Sequence, residues 1–165
     1  MKRAAKLSSR YGVIAIVFLT ALIFSSASAR AAAWNGIEPL KSRRDEVIKI
    51  LGAPVGESPE GVMRFNVMGG SVQISFVNDK FVNHKKLKPE LAGTVLEIVL
   101  LHEHSSDTPE TLKLLNNHAF THDETRTSKI FRNIKEGIIY TFVDGMLSST
   151  RYTFADDQLA KARRY

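Results

Sequence analysis

The residues of this chain whose types and spacing could do chemistry are histidines. His102 and His104 flank Glu103; on a strand their imidazoles project to one face about 7 Å apart, given a rise of roughly 3.4 Å per residue. His118 and His122 stand four apart beside Asp123, and on a helix they would share a face. Four imidazoles without a thiolate suit zinc or copper. The competing reading is structural. His102 to His104 lies where an apolar run gives way to Ser105-Ser106-Asp107-Thr108-Pro109, a place for polar residues in any fold. His118-Ala119-Phe120 reads as extended, which removes the helical geometry of the second pair. A metal-binding protein using His102, His104, His118 and His122 is therefore the alternative expectation. No cofactor is otherwise expected.

Patterns for catalysis are sparser still. The chain has no cysteine, which excludes disulfides, thiol catalysis, thiolate metal sites and lipid attachment through cysteine. No G-x-S-x-G elbow occurs, and Ser148-Ser149-Thr150 falls inside an expected strand, where hydroxyls normally face water. Asp156-Asp157 opens an expected helix, the ordinary place for acids beside a helix dipole. Phosphate loops, dinucleotide glycine fingerprints and H-E-x-x-H helices are all missing. The expectation is a protein that is not an enzyme.

Charge first points elsewhere. The 23 Lys plus Arg against 17 Asp plus Glu give a formal +6. Four of those bases, Lys2, Arg3, Lys6 and Arg10, precede an apolar run from Tyr11 to Phe24 and the small-residue stretch SSASARAAA. A basic start, a short apolar core and an A-x-A site describe a secretory signal peptide over residues 1–29, with cleavage after Ala29 or, alternatively, Ala33. The run is shorter than the ~20 residues of a spanning helix, so no stable membrane anchor is expected after cleavage. Removal leaves 19 bases against 17 acids, a net +2. The electrostatic argument for nucleic acid then disappears. Two local basic runs remain, His84 to Lys88 and Lys161 to Arg164, read as a solvated loop and as cations suiting a last helical turn.

The elements that would carry these residues follow from periodicity. Trp34 to Leu40 reads as extended. Ser42 reads as an N-cap, with Asp45 at N3, for a helix through Val47, Ile50 and Leu51 that Gly52 and Pro54 stop. No regular element should cross the loop Gly52 to Gly61. Val62 to Val67 and Val72 to Phe76 alternate as strands around Gly69-Gly70, and Phe81-Val82 reads as another short strand. Thr94 to Leu101 has the continuous apolar, β-branched content of a central strand. The second half repeats the plan, with a short helix through Thr111 to Leu115, a polar loop Thr121 to Ser128, and a meander over Ser128–Ile134, Gly137–Val143 and Met146–Phe154. Asp156 to Arg163 reads as a final helix. Trp34 is expected to clasp the N-terminal segment onto the core. Phe81, Phe120, Phe131, Tyr140, Phe142 and Tyr152 are expected core residues at strand positions. The expected class is α+β, with short helices packed on antiparallel meanders. Residues 30–165 are expected to form a single domain, divisible into similar units 34–104 and 105–165.

Gly36-Ile37, Pro39-Leu40-Lys41-Ser42-Arg43, Asp45, Val47, Leu51-Gly52 and Pro54 together resemble the helix opening of small outer-membrane lipoproteins of the SmpA/OmlA (BamE-like) type. Tyr140 to Leu147, an aromatic strand turning at Asp144-Gly145, is similar to the hairpin of that superfamily. The two-unit arrangement resembles the β-lactamase-inhibitor-protein fold, and the wider pattern resembles a group of exported bacterial proteins. These resemblances imply helices against a curved antiparallel sheet and a binding or scaffolding role. The lipoproteins carry a lipidated cysteine that this chain lacks. The functional expectation is an exported, non-enzymatic binding or scaffolding protein of the bacterial cell envelope, periplasmic or secreted. Its expected partner is another protein or an envelope component.

Overall fold

Alternating apolar residues build one eight-stranded sheet. The computed structural model describes residues 32–164, so the expected signal peptide lies outside the described residues. The strands are β1 (Gly56–Glu57), β2 (Met63–Val67), β3 (Gly70–Phe76), β4 (Val95–His102), β5 (Thr121–Glu124), β6 (Ser128–Asn133), β7 (Ile138–Val143) and β8 (Met146–Thr153). Their order is β1-β2-β3-β4-β8-β7-β6-β5, and every neighbouring pair is antiparallel. Two four-stranded meanders thus meet where their last strands, β4 and β8, pair. With three short helices added, the fold is α+β.

Period-two burial decides which face packs. Met63, Phe65, Val72, Ile74 and Ile98 are buried together, and the register sets Phe65 opposite Val72 and Ile74 opposite Ile98. Over them lies α1 (Arg44–Leu51), which contributes Val47, with Ile37 beside it and Trp34 half-buried at the margin. Helix α1 begins one residue later than the sequence predicts. The Ser42 hydroxyl accepts the Glu38 backbone N–H at 3.1 Å, on the side away from the helix, and the Glu46 carboxylate takes the Arg43 N–H at 2.9 Å. Trp34 to Ile37 is a tight turn rather than an extended segment: Asn35 and Gly36 have φ of 50° and 81°, and Trp34 and Ile37 exchange both backbone hydrogen bonds.

Three further expectations are corrected. Phe81-Val82 is not a strand but the middle of α2 (Asp79–Lys85), because the Asn78 side chain accepts the Phe81 N–H at 2.8 Å and caps a helix where the sequence also permits a turn. Val82 joins Val77, Leu87 and Ala162 in a second core at one end of the sheet, Ala162 coming from α3 (Asp156–Ala162). The helix expected through Thr111 to Leu115 is a series of turns. Lys113 takes a left-handed φ of 55°, and the Leu114 N–H bonds back to the Pro109 carbonyl, closing the chain after a single turn. Leu114 still reaches a third core with Phe131, Phe142 and Leu147. Finally, the polar stretch from Thr121 and the Gly/Pro-rich loop each contribute an edge strand, β5 and β1. Backbone pairing with β6 and β2 holds these despite exposed side chains.

Candidate functional site

The topology separates two of the histidines. His102 ends β4 and His122 lies on β5; three strands separate them, so four interstrand spacings of ~4.8 Å place them roughly 19 Å apart. His104 and His118 are exposed in a bend and a turn, and His122 stacks on the Phe131 ring with centroids 5.4 Å apart. Among the described residues, no group of three or more His, Asp or Glu side chains is arranged to hold a metal ion.

His102 instead belongs to a polar seam on the packed face, between the first and third cores. Its Nε2 lies 2.9 Å from the Thr150 hydroxyl, diagonally across β4 and β8. Tyr140 sits beside Thr150 on β7, and Tyr152 follows two residues along β8. Burial pushes the His102 imidazole below its ordinary value, against the opposing pull of the Asp107 carboxylate. Burial likewise raises both tyrosines, with the Glu136 charge adding to Tyr140 and the neighbouring Tyr140 adding to Tyr152. Neutral His102 therefore trades one hydrogen bond with Thr150 and holds the central strand pair together. Thr150 is only 3% exposed, so its hydroxyl is closed to a substrate. The sequence reading turned this hydroxyl toward water, although Thr150 is two residues from the expected core residue Tyr152 and alternation already placed it inside.

The opposite face is built differently. Gln73, Val99, Arg151, Ile139, Arg132 and Thr121 form one row across β3, β4, β8, β7, β6 and β5. Next to it runs the row Ser71, Leu101, Ser149, Thr141, Ile130 and Asp123. None of these side chains enters any of the three cores. Val99, Ile139 and Ile130 are half-buried by their neighbours, while Leu101 remains 38% exposed. Arg151 pairs with Glu97 at 2.6 Å and Arg132 pairs with Asp123, so these two cations are tied down between the aliphatic residues, while Arg64, opposite Gln73 on β2, is exposed. The signal was present in the sequence. The runs around Val95–Leu101 and Ile138–Val143 are apolar on both faces, as strands are when both faces are meant to be covered.

The fold and this surface define an α+β protein presenting an open antiparallel sheet. Comparison with protein-family models, with curated proteins and with solved structures gives no significant match. Function is therefore read from this chain's own side chains.

Proposed function

We propose that this chain is an exported, non-enzymatic binding protein of the bacterial cell envelope that holds a protein partner on the open face of its sheet. One observation carries the reading: β4 and β7 carry aliphatic side chains on the face opposite the first and third cores, and Val99, Leu101 and Ile139 belong to none of the three cores. Val99, Leu101, Ile139 and Ile130 supply aliphatic area, and the intervening Ser149 and Thr141 hydroxyls can hydrogen-bond a partner's backbone or side chains. Grouped apolar residues rimmed by polar ones are the usual mark of a protein-binding surface. Export follows from the basic, apolar and small-residue sequence of the first thirty residues.

The test places a photo-crosslinking amino acid at Ser149 and, separately, at exposed Lys135, and recovers adducts from envelope fractions. A protein adduct specific to Ser149, lost when Leu101→Glu and Ile139→Lys are introduced together, is the expected outcome. Equal adducts from both positions, or an adduct indifferent to the two substitutions, would overturn the proposal. Circular dichroism of the double variant establishes that its fold is intact.

A further inference from the structure

The two basic runs that look independent in the sequence are joined in the fold. The chain after α3 lies antiparallel to the segment after α2. Lys88 N–H donates to the Ala162 carbonyl at 2.9 Å and Arg164 N–H to the Lys86 carbonyl at 2.8 Å, with Leu87 and Arg163 facing each other as a bridge pair. The Arg164 guanidinium adds bonds to the Leu87 carbonyl and the Asn83 side chain. Lys85, Lys86, Lys88, Lys161, Arg163 and Arg164 thereby become one surface. Among the described residues' ion pairs only Lys161 is engaged, with Asp157 at 2.9 Å. Glu90 follows Lys88 by two residues, and Asp79 and Asp156 open the two helices. Six of the 19 cations that follow Ala29 are in this patch, beside two of the 17 acids, Asp157 and Glu90, leaving 13 cations against 15 acids elsewhere. A chain of nearly neutral total charge therefore concentrates its positive charge at this patch.

Beside the patch is a shallow cleft whose floor is Leu40, Leu91 and Ala162 and whose rim carries Lys41, Lys88 and Lys161 together with Glu90 and Gln158; Lys41 is paired with Glu38. Cations around a small apolar depression suit a phosphodiester head group with its glycerol and first methylenes. The topology adds direction. β3 and β8 both run out at this end of the sheet, into α2 and α3. The turn between β6 and β7 is here too, with Thr153 N–H bonded to the Gly137 carbonyl and Ala32 N–H bonded to the Glu136 carbonyl, each at 2.8 Å. The chain thus enters the described fold at its basic end.

We propose that the surface formed by the Lys85–Lys88 and Lys161–Arg164 segments docks on an anionic phospholipid bilayer. The open sheet face is then left clear of the membrane. Nucleic acid is the less suited polyanion, because the aromatic rings at this end, Phe81 and Phe154, pack on each other at 6.3 Å rather than standing ready to stack on bases.

All three cores lie within residues 32–164, so the test uses the chain from Arg30 onward, without the apolar run. Co-sedimentation compares phosphatidylcholine vesicles with vesicles containing about one-third phosphatidylglycerol. Binding is expected on the anionic vesicles, to weaken about fivefold for each patch cation removed, and to fade in high salt. Lys86→Gln, Lys88→Gln and Arg163→Gln, all at exposed positions, are combined as the test variant; Arg64→Gln with Lys135→Gln is the control for charge elsewhere. Loss of binding in the first variant alone, with an unchanged melting temperature, supports the proposal. Equal binding to neutral vesicles, equal loss in both variants, or tighter binding to an oligonucleotide than to the anionic vesicles would overturn it.

Discussion

At the residue scale, His102 has the clearest consequence for solution behaviour. Its folded pKa lies below the ordinary histidine value of 6.5 because burial disfavours the imidazolium. The unfolded chain therefore binds more protons than the folded one between those two values, and stability rises with pH across that window. The contribution is complete above about pH 6.5 and is lost progressively as pH falls to the folded value. His102→Gln keeps a hydrogen-bonding group near Thr150 but cannot titrate. Urea titrations from pH 7.5 down to 5 are expected to show a smaller loss of stability for this variant than for the wild type. Parallel curves for the two proteins would refute the assignment. Trp34 behaves as its sequence neighbours suggest: it packs at the margin of the first core with Ile37 and Leu51.

At the scale of elements, strands were more legible than helices. A strand needs only alternation, which Met63 to Val67 and Val72 to Ile74 display openly. A seven-residue helix such as α2 offers two apolar positions and a cap, too little periodicity to distinguish it from a turn and a strand. The Thr111 to Leu115 segment shows the reverse error, since its leucines are spaced for a helix but Lys113 turns left-handed. The hairpins meanwhile depend on glycine for different reasons. At Gly70, φ is 155° and an added Cβ would stand 1.9 Å from the Leu101 carbonyl oxygen of the adjacent strand. At Gly145, φ is 84° and nothing lies within 4 Å. Gly70→Ala is accordingly expected to cost roughly 2–4 kcal/mol, because backbone must move, and Gly145→Ala only about 1–2 kcal/mol of left-handed strain. Denaturant unfolding of the two variants gives the comparison, and equal costs would contradict the close approach at Gly70.

At the scale of the whole molecule, the halves are not separable in their packing. Five residue pairs join β4 to β8, Tyr152 of the second half packs on the first core, and Ala162 completes the second core with Val77, Val82 and Leu87. Trp34 fluorescence and far-ultraviolet circular dichroism are therefore expected to report one coincident unfolding transition. The fragment 34–104 alone is expected to remain unfolded, because it lacks the central strand partner. A first transition seen only by Trp34 would show the halves to be independent. The division of charge is a property of this scale as well. Neither basic run has a counterpart in its own neighbourhood of sequence, and 77 residues separate Leu87 from the Arg164 guanidinium that meets its carbonyl.

The amino-acid sequence by itself determined the class of fold, the main strands and most of the inward-facing residues, because periodicity and turn residues are local properties. Tertiary structure alone decided what lies together. Strand order set His102 and His122 apart, register turned Thr150 inward to His102, and an antiparallel pairing of backbone joined two remote basic runs. Those outcomes depend on long-range hydrogen bonds and on which sheet face is packed, and neither can be read along a single stretch of chain.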